Sequence, residues 1–266
     1  MTEPTRNTVT HSAPVESKYQ CPTEILKLPS GGWFYPTDNP LSSGTIEMKY
    51  MTAKEEDILT TQSYITNGIV LDKLFQSMIV SKINYDDLLL CDKNAIMITA
   101  RILGYGKDYE VEVTTPAGNK QKIKIDLTTV GNVTFPFDEY TKGVNSFEYT
   151  LPVSKRTIKY KMLTHGDIKK IDLAIKQTKK ISGDVDTSLS TRLAEQIISV
   201  DDDTTSTRIY NFVNNELLAI DSKALRTHIK LNTPDIDLTI DAVDEVNGNP
   251  FSFTLPIGLD FFWPTA

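Results

Sequence analysis

Three adjacent carboxylates, Asp201-Asp202-Asp203, are the densest set of metal-seeking oxygens in this 266-residue chain. A hard cation needs such oxygens to converge, and a calcium loop spaces them at alternate positions with a central glycine and a distal glutamate. Adjacent side chains point in different directions, so the spacing predicts an acidic loop that ends one helix and caps the next. His11, His165 and His228 lie far apart, and Cys21 and Cys91 have no ligand spacing with them or with each other. No metal and no other cofactor is expected, and both thiols are expected to be free, as in a reducing compartment.

Nucleophilic catalysis needs a side chain beside a base that can take its proton. His165, just ahead of Gly166 at a predicted helix start, and His228, near Arg226 and Lys230, have no Ser-x-Gly elbow or reactive cysteine context around them. Each reads as a surface or capping residue. Gly104-Tyr105-Gly106 is the nearest approach to a phosphate-binding loop, but it follows a helix and lacks the lysine and hydroxyl that such a loop carries. These residues give no catalytic constellation, and the chain is not expected to be an enzyme.

Charge and aromatic content leave association as the chemistry to look for. The net charge is −7, but residues 154–180 hold nine basic residues against Asp167 and Asp172, whereas residues 201–266 hold eleven acids against four basic residues. Separated charge can steer partners or orient copies of one chain head to tail, so self-association stays open; a lysine-covered, solvated helix face is the plainer alternative. Phe261-Phe262-Trp263 sits near the end of the chain, and these rings must pack either on the protein's own core or in a partner groove. The candidate partner-binding residues are therefore Lys169, Lys170, Lys179, Lys180, Phe261, Phe262 and Trp263. The basic segment has Tyr160 but no interleaved aromatic series, so nucleic-acid binding is disfavoured.

These candidates must be carried by both helices and hairpins. Apolar residues repeat at helical spacing over 70–81, through Leu71, Leu74, Phe75, Met78 and Ile79. Thr52 and Glu55 form a capping-box pattern that opens a helix over 53–64. Further helices are expected at 95–103, ending at Gly104 to Gly106, and at 164–180, 188–199, 207–220 and 222–231. Alternating charged and apolar residues at 109–113 and 122–126, around Pro116-Ala117-Gly118-Asn119, predict a hairpin. A second hairpin is expected at 146–162, and a third across Asn247-Gly248-Asn249. The fold class is α+β, helix-rich with several short antiparallel β-hairpins. Phe-x-x-x-Leu-Pro recurs at Phe147 to Pro152 and Phe251 to Pro256, which raises the idea of two similar halves. The expected division is a disordered tail at 1–22, a helix-plus-hairpin unit at 23–130 and a hairpin-helices-hairpin unit at 131–266.

Near the start, Leu28-Pro29-Ser30-Gly31-Gly32-Trp33-Phe34-Tyr35-Pro36 reads as a loop pinned by its rings, with Trp33 and Tyr35 expected against the 53–64 helix. Followed by Met51-Thr52-Ala53-Lys54-Glu55-Glu56-Asp57-Ile58-Leu59, then the stretch from Asp87 to Ala95 and Arg101-Ile102-Leu103-Gly104-Tyr105-Gly106, it resembles the baseplate hub family of T-even-like contractile-tailed phages over about residues 25 to 130. The resemblance implies a structural subunit of the phage tail baseplate hub, or a chaperone-like hub assembly factor that does not stay in the virion, with other baseplate and hub proteins as partners. Many members of that family carry Cys-x-x-Cys pairs at hairpin tips. Thr115-Pro116-Ala117-Gly118 stands at such a tip here, so structural zinc is not expected. No apolar run reaches the roughly 20 residues of a membrane span, and the opening residues lack the apolar core of a signal peptide. Synthesis in a host cytoplasm and a place in the virion tail are the expected locations, with no membrane partner.

Overall fold

The computed structural model describes residues 21–182 and 186–262. Most of the expected tail, residues 1–20, lies outside them. Residues 21 and 22 are tied down, since the Pro22 carbonyl accepts from the Tyr50 N–H at 3.1 Å.

The fold is α+β, with helices interleaved with small antiparallel sheets of two or three strands. β1 (Thr23–Lys27) pairs with β2 (Thr45–Lys49). A short helical pair, α1 (Ala53–Thr60) and α2 (Gln62–Thr66), replaces the single helix expected over 53–64, and α3 (Val70–Met78) follows. Thr61, extended at φ −69° and ψ 105°, breaks that expected helix. The Glu55 carboxylate accepts from the Thr52 N–H at 3.0 Å and from its hydroxyl at 2.6 Å, the side-chain half of the capping box.

α4 (Leu90–Tyr105) is the central helix, and its buried residues, among them Cys91, Asp92, Ile96, Ala100, Arg101 and Leu103, point in every direction. It ends at Gly106, whose φ of +85° suits a residue without a Cβ. β3 (Asp108–Thr114) and β4 (Lys120–Asp126) form the expected hairpin, with Lys120–Glu112 and Lys122–Glu110 pairs across its wet face. β5 (Phe147–Thr150) and β6 (Thr157–Tyr160) form the second hairpin, to which β7 (Ile197–Val200) adds a third strand.

β7 takes residues that the sequence pattern assigned to a helix. The helix α6 (Ser188–Gln196) stops at Ile197, and the run Ile197-Ile198-Ser199-Val200 suits the pleated edge it pairs with. Before it comes α5 (His165–Ser182). After it, α7 (Ser206–Asn211) continues into a wide helical turn over Phe212–Glu216, and α8 (Ala219–Leu231) begins after extended Leu218. β8 (Thr239–Val243) and β9 (Pro250–Thr254) form the last hairpin, and a 3-10 turn, Leu259–Phe262, closes the described chain.

One cluster of buried residues runs from Leu28 to Phe262, across the division expected at residue 130. The two Phe-x-x-x-Leu-Pro stretches occupy opposite arms of their hairpins, β5 being the first arm of its pair and β9 the second.

Candidate functional site

The site that brings together the most titratable side chains is a cleft of about 1050 Å³ between α3 and α5. Its construction starts at Thr164. The Thr164 N–H donates to Asp167 Oδ2 at 3.1 Å and the Asp167 N–H donates back to the Thr164 hydroxyl at 3.2 Å, so α5 opens on a reciprocal cap. The Leu90 N–H donates to the Leu163 carbonyl and the His165 N–H to the Leu88 carbonyl, which fixes the start of α5 to the entry of α4. A Cβ on Gly166 would lie 3.0 Å from the Asp86 carbonyl oxygen, so this glycine permits the close approach of α5 to the 3-10 turn Tyr85–Asp87.

That approach buries His165, contrary to the surface or capping role expected for it; the residue is 6% exposed. Its ring meets the Tyr85 ring edge-on with centroids 4.6 Å apart. Lys93 Nζ lies 3.3 Å from Nδ1 and donates at 2.6 Å to Asp72, which also accepts from the Tyr85 hydroxyl at 2.9 Å. A lysine ammonium has only protons to offer, so its contact assigns Nδ1 as the acceptor, and Nε2 lies 3.9 Å from Asp86. Burial lowers the His165 pKa, and Asp72 and Asp86 oppose that shift. Burial and the Asp72 charge raise the Tyr85 pKa. His165 thus sits against Lys93 and Tyr85, and Lys93 and Tyr85 both donate to Asp72.

A second buried acid escaped the sequence reading altogether. Asp92, fully buried in the first turn of α4, accepts from the Ser30 N–H at 2.9 Å, the Ser30 hydroxyl at 2.8 Å and the Tyr35 hydroxyl at 2.6 Å. Tyr35 in turn accepts from the Leu89 N–H at 2.9 Å. Burial raises the Asp92 pKa, and these hydrogen bonds pull it back. The aromatic loop is thus pinned to the start of α4. Trp33 and Tyr35 do not pack on the 53–64 helix: Trp33 Nε1 donates to the Tyr140 carbonyl at 3.0 Å and its ring lies against Phe137. Gly31 and Gly32, at φ +56° and +73°, are required by the turn, and a Cβ on Gly32 would come within 2.6 Å of the Ser42 carbonyl oxygen.

The residues nominated for partner binding divide sharply. Phe261 and Phe262 are each 1% exposed, so they are core and not partner-binding residues. Arg101, itself buried, donates from Nε to the Phe261 carbonyl at 3.0 Å, and the two rings pack on Tyr109 and Phe75. Trp263 lies outside the described residues. Lys169, Lys170 and Lys179 stand exposed on α5, whose backbone also includes Lys180. Lys169 pairs with Asp86 at 2.8 Å on the cleft side, whereas Lys170 turns to Asp167 and Glu195 on the other side of the helix.

The charge asymmetry read from the sequence is taken up only in part by ion pairs inside the molecule. Lys161 pairs with Asp167, Lys159 with Asp202, and Arg156 with Asp201. Asp221 accepts from the Val153 and Ser154 N–H groups, Asp203 from Thr205, Asp237 from Thr239 and Asp244 from Val246. Several acids of the last third thus hold backbone turns as well as carrying charge. Asp201 and Asp202 adopt positive φ in a turn after β7, not at the end of a helix as expected.

Cys91 is buried and Cys21 is partly buried, and both are free. Burial pushes the Cys91 thiol up, away from the reactive thiolate. Among the described residues no group of three or more His, Cys, Asp or Glu could hold a metal ion, and no helix is long and apolar enough to cross a membrane. Comparison with protein-family profiles, curated proteins and solved structures returns no match for this chain.

Proposed function

We propose that this protein is a structural subunit of the baseplate hub of a contractile phage tail and works by protein–protein contact, with no reaction of its own. The observation that carries the reading is the state of α5, a lysine-bearing helix with a cleft along each side and no fully buried residue from 172 to 179. Such a helix is held firmly at its N-terminal end and only half-covered beyond it, which suits a contact element better than a core helix. The setting is supplied by the resemblance of the sequence over about residues 25 to 130 to the hub family, an inference from its short motifs alone. The titratable groups of the cleft support a non-catalytic role, since His165, Lys93, Asp72 and Tyr85 already engage one another. An assembly factor that leaves the finished hub uses the same kind of contact. Quantitative mass spectrometry of purified virions separates the two: a fixed copy number per tail is the expected result for a subunit. Presence in assembly intermediates but absence from virions would replace it with the assembly factor, and absence from both would end the tail assignment.

A further inference from the structure

The pairing of β1 with β2 leaves one strand edge bare. The Leu28 N–H donates to the Gly44 carbonyl and the Tyr50 N–H to the Pro22 carbonyl, which fixes the parity of the ladder, so that Glu24 and Leu26 turn their backbone groups toward β2. Thr23, Ile25 and Lys27 therefore aim theirs away from it. The outward groups at the middle of β2 are covered, since the Glu47 N–H donates to the Ser81 hydroxyl and the Glu47 carbonyl accepts from the Val80 N–H, each at 2.8 Å. Those of β1 meet no partner strand among the described residues.

That edge lacks the guards that keep strands apart. β1 has neither proline nor bulge, and its middle side chain, Ile25, is 73% exposed. A bare edge selects an extended strand as its occupant, because only such a backbone presents N–H and C=O groups at the same spacing. The side chains select which strand. Thr23, Ile25 and Lys27 share one face of the sheet with Lys49, Glu47 and Thr45, their partners on β2. On that face the Thr23 hydroxyl donates to Glu47 Oε1 at 2.6 Å, which draws the carboxylate toward the N-terminal end of β1. Lys49 is committed to Glu55, whereas Lys27 and Glu47 enter no ion pair among the described residues.

A second copy of β1, laid antiparallel with Ile25 opposite Ile25, answers both the backbone and the charges. Thr23 of each copy then faces Lys27 of the other, and each Lys27 reaches the carboxylate that Thr23 holds. About six backbone hydrogen bonds close, two per facing pair, and the two hairpins become one continuous sheet. Any other register parts Lys27 from Thr23.

We infer that β1 is a self-pairing edge through which two copies of this chain associate about a two-fold axis at Ile25, with Lys27 of each on Glu47 of the other. This goes beyond the contact role of α5 and needs neither that role nor a place in a tail.

Sedimentation of the full chain tests it. The mass is expected to rise from 29.8 kDa toward twice that value as the concentration goes from about 1 to about 300 μM, because a strand edge buries less than a standard interface and holds its partner weakly. Ile25→Pro removes an outward N–H and spares the ladder to β2, so the dimer should weaken about tenfold or more with melting unchanged. Lys27→Glu is expected to weaken it about fivefold, and Lys27→Glu with Glu47→Lys to restore it. If Ile25→Pro disturbs folding, Lys27→Glu still decides the matter, because that side chain is exposed. A monomer at about 300 μM would overturn the inference, and so would a dimer that both single variants leave intact. A dimer that the double charge reversal fails to restore would overturn the register. None of these outcomes touches the tail assignment, which stands or falls on virion composition.

Discussion

The C-terminal aromatic turn and the basic helix α5 had the same standing as partner surfaces, and the folded chain treats them in opposite ways. Phe261 and Phe262 are sealed between α3, α4 and β3, with a buried arginine holding the turn by its carbonyl. α5 is fixed over its first two turns and beyond them is only half-covered, with exposed lysines on one side and small apolar residues facing α6 on another. Burying two phenylalanines is favourable wherever the chain can reach a core, so intramolecular packing takes them first. Lysines gain little from burial, and their stems remain available to cover a partner. Terminal aromatics therefore report on the protein's own core, and a half-covered helix reports on contact.

The contrast can be broken most severely at the aromatic turn. Phe261→Ala is expected to cost about 4 kcal/mol, as large aromatic truncations in cores do, and a chemical-denaturation midpoint close to that of the wild type would return this residue to the surface. Asp92→Ala comes next. It strands the Ser30 N–H, the Ser30 hydroxyl and the Tyr35 hydroxyl without an acceptor, and a loss of about 3 kcal/mol is expected, less for Asp92→Asn, which keeps one acceptor oxygen.

Glu55 sharpens the comparison through pH. Burial pushes its carboxyl up, but hydrogen bonds from Lys49, Ser77 and Thr52 outweigh that and hold it at about 2 against an ordinary 4.5. The folded state binds this proton less readily than the unfolded state does. Its stabilisation is therefore complete above pH 4.5 and is lost as the pH falls toward about 2. Glu55→Gln should flatten part of the acid limb of a melting-temperature profile, and an unchanged limb would assign it to other carboxylates.

The smallest effect on stability belongs to α5. Lys176→Glu with Lys179→Glu is expected to move stability by less than about 0.5 kcal/mol, because exposed charges contribute little to folding. A large loss there would mean that the distal half of α5 is part of the core after all.

Local pattern made some of this legible and distance hid the rest. The 108–126 hairpin was plain because its strands alternate charge and apolar residues around a turn with Gly118 at φ +87°. The loop at 28–36 announced that its rings were pinned, but not to what, since Trp33 meets Tyr140 more than a hundred residues away. Asp92 gave no signal, because an acid in the first turn of a helix looks like a complement to the helix dipole. Only the three donors around it reveal its role. His165 looked like a surface or capping residue because it stands at a helix start with no catalytic context around it, and Gly166 was the hint that another backbone comes close. The helix expected over 188–199 failed at Ile197, where the spacing of Leu189, Leu193 and Ile197 still fits a helix but β6 offers an open edge.

The claim that α5 and its flanking clefts form the contact surface is tested most directly by amide hydrogen exchange. The chain alone would be compared with the chain in any assembly that co-purifies with it from infected cells. New protection over α5, α6 and α7, with none added at Leu259–Phe262 or in the loop at 28–36, is the predicted result. Protection gained at those two regions while α5 exchanges at its free rate would contradict it.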